Sequence, residues 1–319
     1  MAPASIDASD LFGVKGLIAV VTGGGSGIGL MIAQALEANG AIVYILGRRQ
    51  QTLDKAAKTA VSLDLRAPQR KRNFQGNLHP IQCDVTKKSD LERAAEEIKL
   101  KYGYVNVVIA NSGVVGPSVL GMPENPSISE FKNWLWNWDP DQLNNTFAVN
   151  TAGVFYTAVA FLELLDEGNK RGHLKQRSQV IATTSIGAYV RTLVAGFGYE
   201  GSKAATTHIM KQFATSLVPY AIRANIIAPG CESLQQSGTV VSSLPADSGI
   251  GYPSDITDDL IEKQNEGGWP KDFIPEQRPG DEQDIAGAVL FLVSKAGAYI
   301  NGNALVTDGG RMGILPATY

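Results

Sequence analysis

The feature that most restricts the fold lies early in the chain. Leu17-Ile-Ala-Val-Val21 is a short apolar run rich in β-branched residues, and it passes directly into Thr22-Gly23-Gly24-Gly25-Ser26-Gly27-Ile28-Gly29. Ile28, Met31, Ile32, Ala35 and Leu36 then recur at i, i+3, i+4, i+7 and i+8. An apolar run without polar alternation reads as a strand buried on both faces, and the recurrence reads as one face of a helix. Asn39-Gly40 is a helix stop, and Ala41–Leu46 is a second apolar strand. Together these pieces make a βαβ unit. A glycine loop between strand and helix lets the backbone approach a pyrophosphate, whose charge is met by the N–H groups of the first helical turn. Dinucleotide binding is therefore the first functional expectation.

The alternation continues. Helices are expected over Gln51–Leu63, from a capping box at Ser89-Asp-Leu-Glu92 to Tyr102-Gly103, over Leu143–Leu165, Gly198–Leu217 and Asp281–Val293. Strands are expected at Ile81–Val85, Val105–Ala110, Val180–Thr183, Arg223–Ala228 and Ala304–Thr307. Seven strands alternating with about six helices predict an α/β fold: one Rossmann-like, doubly wound parallel sheet with helices on both faces. The expected domain spans residues 1–319, with a core from about 14 to 312. Three stretches break the rhythm: polar Arg66–Pro80, Pro- and Trp-rich Val114–Pro140, and Cys231–Gly280. Loops longer than about 12–15 residues are usually functional.

Composition narrows the function. A chain of 319 residues with 44% apolar and 18% charged residues excludes wholesale disorder. The net charge of −3 attracts no polyanion, so no nucleic-acid partner is expected, and Arg70-Lys71-Arg72 reads as a solvated loop. Two cysteines far apart and three histidines without ligand spacing exclude a disulfide framework and a metal site. Residues 1–16 lack an apolar targeting segment, and no run reaches the roughly 18 apolar residues of a membrane span. The expectation is a cytoplasmic protein with no membrane partner.

The loop spacing Thr22-Gly23-x3-Gly27-x-Gly29 resembles the TGxxxGxG loop of the short-chain dehydrogenase/reductase family. Further motifs match that family in order. They are Asp84-Val85, Ala110-Asn111-Ser112-Gly113, Asn150 within Phe147–Gly153, Thr183–Gly187, Tyr199-Glu-Gly-Ser-Lys203, Asn225–Gly230 and Asp308-Gly309-Gly310. The resemblance covers roughly residues 14–312. It implies a cofactor site built from Thr22, Gly23, Ser26, Gly27, Ile28, Gly29, Asp84, Val85, Asn111, Gly113, Tyr199, Lys203, Pro229, Gly230 and Ser233. The family commonly has Asn where Ala110 stands, and its usual apolar-x-Thr continuation is here Cys231-Glu232-Ser233.

The tip of the second strand selects the cofactor. An acidic residue there holds the ribose hydroxyl of NAD, whereas arginine accommodates the phosphate of NADP. The chain reads Leu46-Gly47-Arg48-Arg49, which favours NADP(H) over NAD(H). A basic residue inside the glycine loop, common in NADP members, is replaced by Ser26.

Tyr199 and Lys203 stand one above the other on a helix face. The resemblance gives Tyr199 the role of general acid/base, with Lys203 favouring the phenolate and holding the nicotinamide ribose. Ser185 steadies the developing oxyanion, and Asn150 holds a water of the proton relay. The Ser185-to-Tyr199 spacing is one residue longer than the family's commonest, and Thr184 is the alternative if the register shifts.

The implied activity interconverts a ketone and a secondary alcohol. Tyr252, Trp269 and Phe273 in the 231–280 lid, and the aromatic run Phe131–Trp138, suggest a bulky apolar substrate. That aromatic run also reads as packing or as a subunit contact. Cys231 reads either as a small buried residue or as a reactive thiol. The helices at 143–165 and 198–217 are those through which family members pair, which implies a homodimer or homotetramer. Two rival functions fit the same fold: a catalyst of non-redox or multi-step chemistry, and a non-enzymatic NADP-binding sensor.

Overall fold

A computed structural model describes residues 6–66, 76–230 and 269–318, without the side chains of 59–66. Seven strands form one sheet in the order β3-β2-β1-β4-β5-β6-β7. They are β1 (Ile18–Thr22), β2 (Ile42–Gly47), β3 (Leu78–Gln82), β4 (Val107–Ala110), β5 (Gln179–Thr183), β6 (Arg223–Pro229) and β7 (Ala304–Thr307). Every pairing is parallel, with Val20 beside Tyr44 on one side and Val108 on the other. The expected seven-stranded parallel sheet is present.

Strands β1, β4, β5 and β6 are buried along their whole length, which explains their lack of polar alternation. Successive side chains alternate between two cores. Ile18 and Val20 meet Leu91, Ile98, Phe161 and Met210 on one face. Ala19 and Val21 meet Ile32, Leu36, Leu53 and Val289 on the other. The face bearing Met210 carries α8 (Phe197–Ser216), and the opposite face carries α1 (Gly27–Ala38).

Four local expectations are corrected. β3 spans Leu78–Gln82 rather than Ile81–Val85, because β3 is an edge strand and tolerates Pro80. Leu78–Pro80 accordingly belongs to the sheet rather than to the expected loop. The helix after it starts at Lys88 with Lys87 as N-cap and no side-chain cap, so the Ser89–Glu92 capping box does not form. Asp90 instead accepts the Asp84 N–H at 2.9 Å, which anchors the turn and lets the helix begin earlier.

The continuous helix expected over Leu143–Leu165 is several pieces. Pro140–Phe147 leads into a π-helical turn at Ala148–Ala152, then Gly153–Ala160, then Leu162–Arg171 after a 43° bend. The apolar periodicity survives these breaks, so the pattern alone does not show them. Within Val114–Pro140, Ile128–Trp136 is a further helix, closed at its N-terminus by a Ser127/Glu130 capping box.

Among the described residues, no single helix is long and apolar enough to cross a membrane. The bent pair Pro140–Ala160 and Leu162–Arg171 passes by length and composition, and its apolar side packs on the sheet. No group of three His, Cys, Asp or Glu side chains is placed to hold a metal among the described residues. Most of the expected 231–280 lid, including Tyr252, lies outside the described residues.

Candidate active site

The chain leaves β1 toward β2 on one side, and later leaves β4 toward β5 on the other. That reversal opens a crevice at the carboxyl edge of the sheet, where open α/β sheets bind ligands. Thr22 ends β1 at this crevice. Its Oγ1 accepts the N–H groups of Asn111 at 2.9 Å and Ser112 at 3.1 Å, while Asn111 Nδ2 donates to the Thr22 carbonyl at 3.1 Å. Thr22 and Asn111 thus stitch the two loops that flank the crevice.

The glycine loop is shaped by close approach. Gly23 has φ +68° and donates its N–H to the Leu46 carbonyl at 2.7 Å. A Cβ at Gly29 would lie 2.3 Å from the Gly23 carbonyl oxygen, so only glycine lets α1 press onto the loop. Ser26 is the N-cap of α1, Gly27 and Ile28 open it, and its first turn carries no acidic residue. The exposed N–H groups and the helix dipole therefore present positive potential to the crevice. This cradle fits a pyrophosphate.

Arg48 and Arg49 are exposed immediately beyond the end of β2. The Arg48 carbonyl is held by Gln82 Nε2 at 2.9 Å. Asp84 and Val85 fall just past β3, not within its end. Burial alone would raise the Asp84 pKa. Hydrogen bonds from the Thr86 hydroxyl at 2.7 Å and N–H at 3.0 Å, with the nearby Arg48 and Lys87 charges, outweigh burial and hold the carboxyl below its usual range. Val85 is buried, 2.9 Å from where a Gly153 Cβ would be.

The hydroxyls expected to be catalytic meet beyond β5. Ser185 follows the strand, and its Oγ accepts the Gly187 N–H at 3.0 Å. It also hydrogen-bonds the Tyr199 side chain in the first turns of α8. Thr184, the alternative, is buried beside it and reaches no hydrogen-bond partner through its hydroxyl. The Ser185 register is therefore the one that brings a hydroxyl to Tyr199.

Lys203 lies one turn further along α8, 4% exposed, with Nζ 5.7 Å from the centre of the Tyr199 ring. Its Nζ donates to the Thr183 carbonyl at 2.9 Å. Asn150 sits in the π-helical turn. Its Oδ1 accepts the Val114 N–H and its Nδ2 donates to the Val114 carbonyl, both at 2.8 Å. Nδ2 also reaches Ser202 Oγ at 2.9 Å. A Cβ at Gly113 would lie 3.3 Å from both Asn150 Oδ1 and Lys203 Nζ, so that residue keeps the space between them.

Burial sets the electrostatics. It pushes the Tyr199 hydroxyl up, an effect the Ser185 hydrogen bond opposes and the Glu200 charge reinforces. It pulls Lys203 down to about 8. Desolvation thus drives both groups toward their neutral forms and is the largest influence on Tyr199.

Pro229 closes β6, and Gly230 donates its N–H to the Thr307 carbonyl at 2.9 Å, its Cα backed closely by Asp308. Ser233 and Cys231 lie outside the described residues. Trp269 and Phe273 are stacked with ring centres 5.0 Å apart, and the buried Arg311 guanidinium lies 3.7 Å above the Phe273 ring. Trp134 Nε1 donates to the Ser118 carbonyl at 3.2 Å, and Trp138 meets Phe197 at the start of α8. Of the aromatic run, Trp138 packs against α8, while Trp136 is exposed.

The family model described as short chain dehydrogenase matches residues 17–239. The chain belongs to the short-chain dehydrogenase/reductase family. Among members of that family, it is 42% identical to the short-chain dehydrogenase/reductase PhomF of Diaporthe leptostromiformis, over 99% of this chain and 98% of that protein. Its fold matches Pseudomonas aeruginosa RhlG, solved as an NADP active-site complex, with a TM-score of 0.70 and 24% identity over 95% of this chain and 99% of that one. It also matches 7α-hydroxysteroid dehydrogenase, solved with NADH and 7-oxo glycochenodeoxycholic acid, with a TM-score of 0.68 and 23% identity over 96% and 98%.

The short-chain dehydrogenase/reductase frame shows which neighbours the sequence reading passed over. Glu200 supports the loop before α8, accepting N–H groups from Val194 and Ala195. Thr206 donates to the Asn150 carbonyl at 2.7 Å. The signal for Glu200 was present, since it is the one charged residue between Tyr199 and Lys203. Thr206 carries none, because only the π-helical turn frees that carbonyl.

Proposed function

We propose that the protein is an NADP(H)-dependent oxidoreductase that interconverts a ketone and a secondary alcohol on a bulky, apolar small molecule. The observation that carries this reading is the hydrogen-bonded Ser185–Tyr199 pair, with Lys203 buried behind it, at the crevice edged by the glycine loop.

When bound, NADP(H) supplies or accepts the hydride. Thr22, Gly23, Ser26, Gly27, Ile28 and Gly29 form its phosphate cradle, and Arg48 and Arg49 receive the 2′-phosphate. Asp84, Val85, Asn111, Gly113, Pro229, Gly230 and Ser233 complete the site, and Lys203 holds the nicotinamide ribose. Ser185 hydrogen-bonds the substrate oxygen and steadies the charge that develops on it. Tyr199 gives that oxygen its proton. The raised pKa of Tyr199 keeps the phenol protonated near neutral pH, which suits it to act as an acid in the reductive direction. Asn150 braces the loop at Val114 and takes part in the proton relay.

The aromatic pairs Trp138–Phe197, at the start of the helix that carries Tyr199, and Trp269–Phe273 support a bulky apolar substrate. RhlG with NADP and 7α-hydroxysteroid dehydrogenase with NADH support a nicotinamide cofactor, the 7-oxo ligand of the latter supports a ketone, and the choice of NADP(H) rests on Arg48 and Arg49. Phe155, Tyr156, Val159 and Phe197 are exposed on the helices expected to pair, which supports a homodimer or homotetramer.

Paired fluorescence titrations with NADPH and NADH test the cofactor reading. Turnover of a ketone panel that includes trans-1-decalone tests the reaction. Tight NADPH, weak NADH and ketone-dependent oxidation of NADPH are expected. Tighter NADH overturns the cofactor assignment. Ketone transformation without net oxidation of NADPH overturns the redox assignment.

A further inference from the structure

The stretch between Ser185 and Tyr199 is held from several sides. Its first half pairs antiparallel with residues 315–318: Val190 bridges Ala317, Arg191 N–H donates to the Pro316 carbonyl at 2.7 Å, and Thr318 N–H donates to the Tyr189 carbonyl at 2.8 Å. Its second half meets the loop after β4, where Val119 N–H donates to the Ala195 carbonyl at 3.2 Å. Gly196 allows this approach, with φ +142° and a Cβ position 3.0 Å from the Pro117 carbonyl oxygen.

One side chain touches both ends of the stretch. Glu200 Oε1 accepts the N–H groups of Val194 at 2.7 Å and Ala195 at 3.0 Å. Its Cγ lies 3.3 Å from where a Gly187 Cβ would be, a point also 3.3 Å from Ser185 Oγ and 3.4 Å from Tyr199 Cε1. Gly187 is the residue whose N–H aims the Ser185 hydroxyl. The carboxylate therefore holds the loop that enters α8, while its stem seats the turn that carries Ser185.

We propose that Glu200 is a positioning residue that sets the approach of Ser185 to Tyr199 by bridging Gly187 and the Val194–Ala195 backbone. This rests on the catalytic reading of Ser185 and Tyr199. It also places a carboxylate, partnered by backbone N–H groups, directly after the acid. The polar and charged groups around Tyr199 are then Ser185 from the turn after β5, Lys203 with Nζ 5.7 Å from the ring centre, and Glu200, whose charge raises the Tyr199 pKa. Removing the Glu200 charge lets the phenol ionise at lower pH.

The test compares Glu200→Gln and Glu200→Ala with the wild type, using trans-1-decalone and NADPH. Alongside, tyrosinate absorbance is titrated without cofactor, each protein referenced to its own Tyr199→Phe version. Glu200→Ala is expected to lose kcat tenfold or more, with NADPH affinity within twofold. Glu200→Gln, which keeps an acceptor oxygen, is expected to recover most of kcat, while its alkaline limb and its Tyr199 titration both move to lower pH.

Wild-type kcat and pH profile in Glu200→Ala overturn the proposal. If that variant does not fold, Glu200→Gln decides, and an unmoved alkaline limb with an unmoved Tyr199 titration overturns it. Failure of the underlying reading looks different: Tyr199→Phe alone would then turn over like the wild type.

Discussion

Asn150 and Val114 exchange a matched pair of hydrogen bonds, the side-chain amide of one closing on the backbone N–H and carbonyl of the other at 2.8 Å each. The amide acts as a strand partner for a loop that has none. Asn150→Ala leaves the Val114 N–H and carbonyl without this partner, while Ser202 Oγ keeps its bond to the Tyr199 carbonyl at 2.7 Å. Unsatisfied buried polar groups cost about 1–3 kcal/mol each, so a loss of about 2–4 kcal/mol is expected from urea denaturation. Asn150→Asp is expected to do no better, because a carboxylate then faces the Val114 carbonyl.

Arg48 stands at the strand tip, and its charge is felt at Asp84. Charge-assisted hydrogen bonds contribute about 1.5–3 kcal/mol, which corresponds to roughly tenfold to a hundredfold in affinity. Arg48→Ala is expected to weaken NADPH by that factor and to leave NADH within about twofold. Isothermal titration with both cofactors measures the contrast, and equal weakening of the two contradicts the phosphate contact.

Tyr199→Phe removes the proton donor and keeps the ring. Positioned acid–base groups contribute about 10²–10⁴-fold, so kcat on a reducible ketone is expected to fall by that range while NADPH affinity holds. Stopped-flow turnover with a parallel binding titration separates the two effects.

Lys203 offers a pH signature in stability. Its pKa is about 8 in the folded protein against 10.5 for the free side chain. Between these values the unfolded chain binds the extra proton, so the Lys203 contribution to stability rises with pH across that window. Below about pH 8 both states are charged and the burial cost is fully present. Two to three pKa units correspond to about 3–4 kcal/mol. Wild type is therefore expected to gain on Lys203→Met by up to that amount from pH 8 to 10.5, read from paired denaturation curves.

The central strands were legible because burial on both faces strips them of polar alternation, as Ile18–Thr22 and Val107–Ala110 show. The edge strand was misplaced because Pro80 looked like a loop, and only its position at the edge excuses the missing N–H. Tyr199 and Lys203 were legible because their helical spacing falls in order among the other motifs that resemble the family. Thr206 and the Val114 clamp were not, and Glu200 showed only as a charge beside Tyr199, without its backbone partners. Each acts through a backbone group freed by a turn, a π-helical break or a glycine, and side-chain periodicity does not report on such groups. The direction of the Tyr199 shift was also hidden, because it depends on how deeply α8 is buried.

A sheet with seven strands and only parallel pairings contains no hairpin. Val20 finds Val108 only after the whole first βαβ unit and its successors have been laid down, and Thr22 meets Asn111 at the same moment. Every pairing thus closes a long loop before it gains a contact, which slows folding and prolongs the exposure of apolar strand edges. The stitched crevice floor is assembled from segments distant in sequence, so half-made chains expose Val20 and Val21 without their β4 partners. Slow strand pairing, more than the stability of the finished fold, is then the expected limit on the yield of active protein.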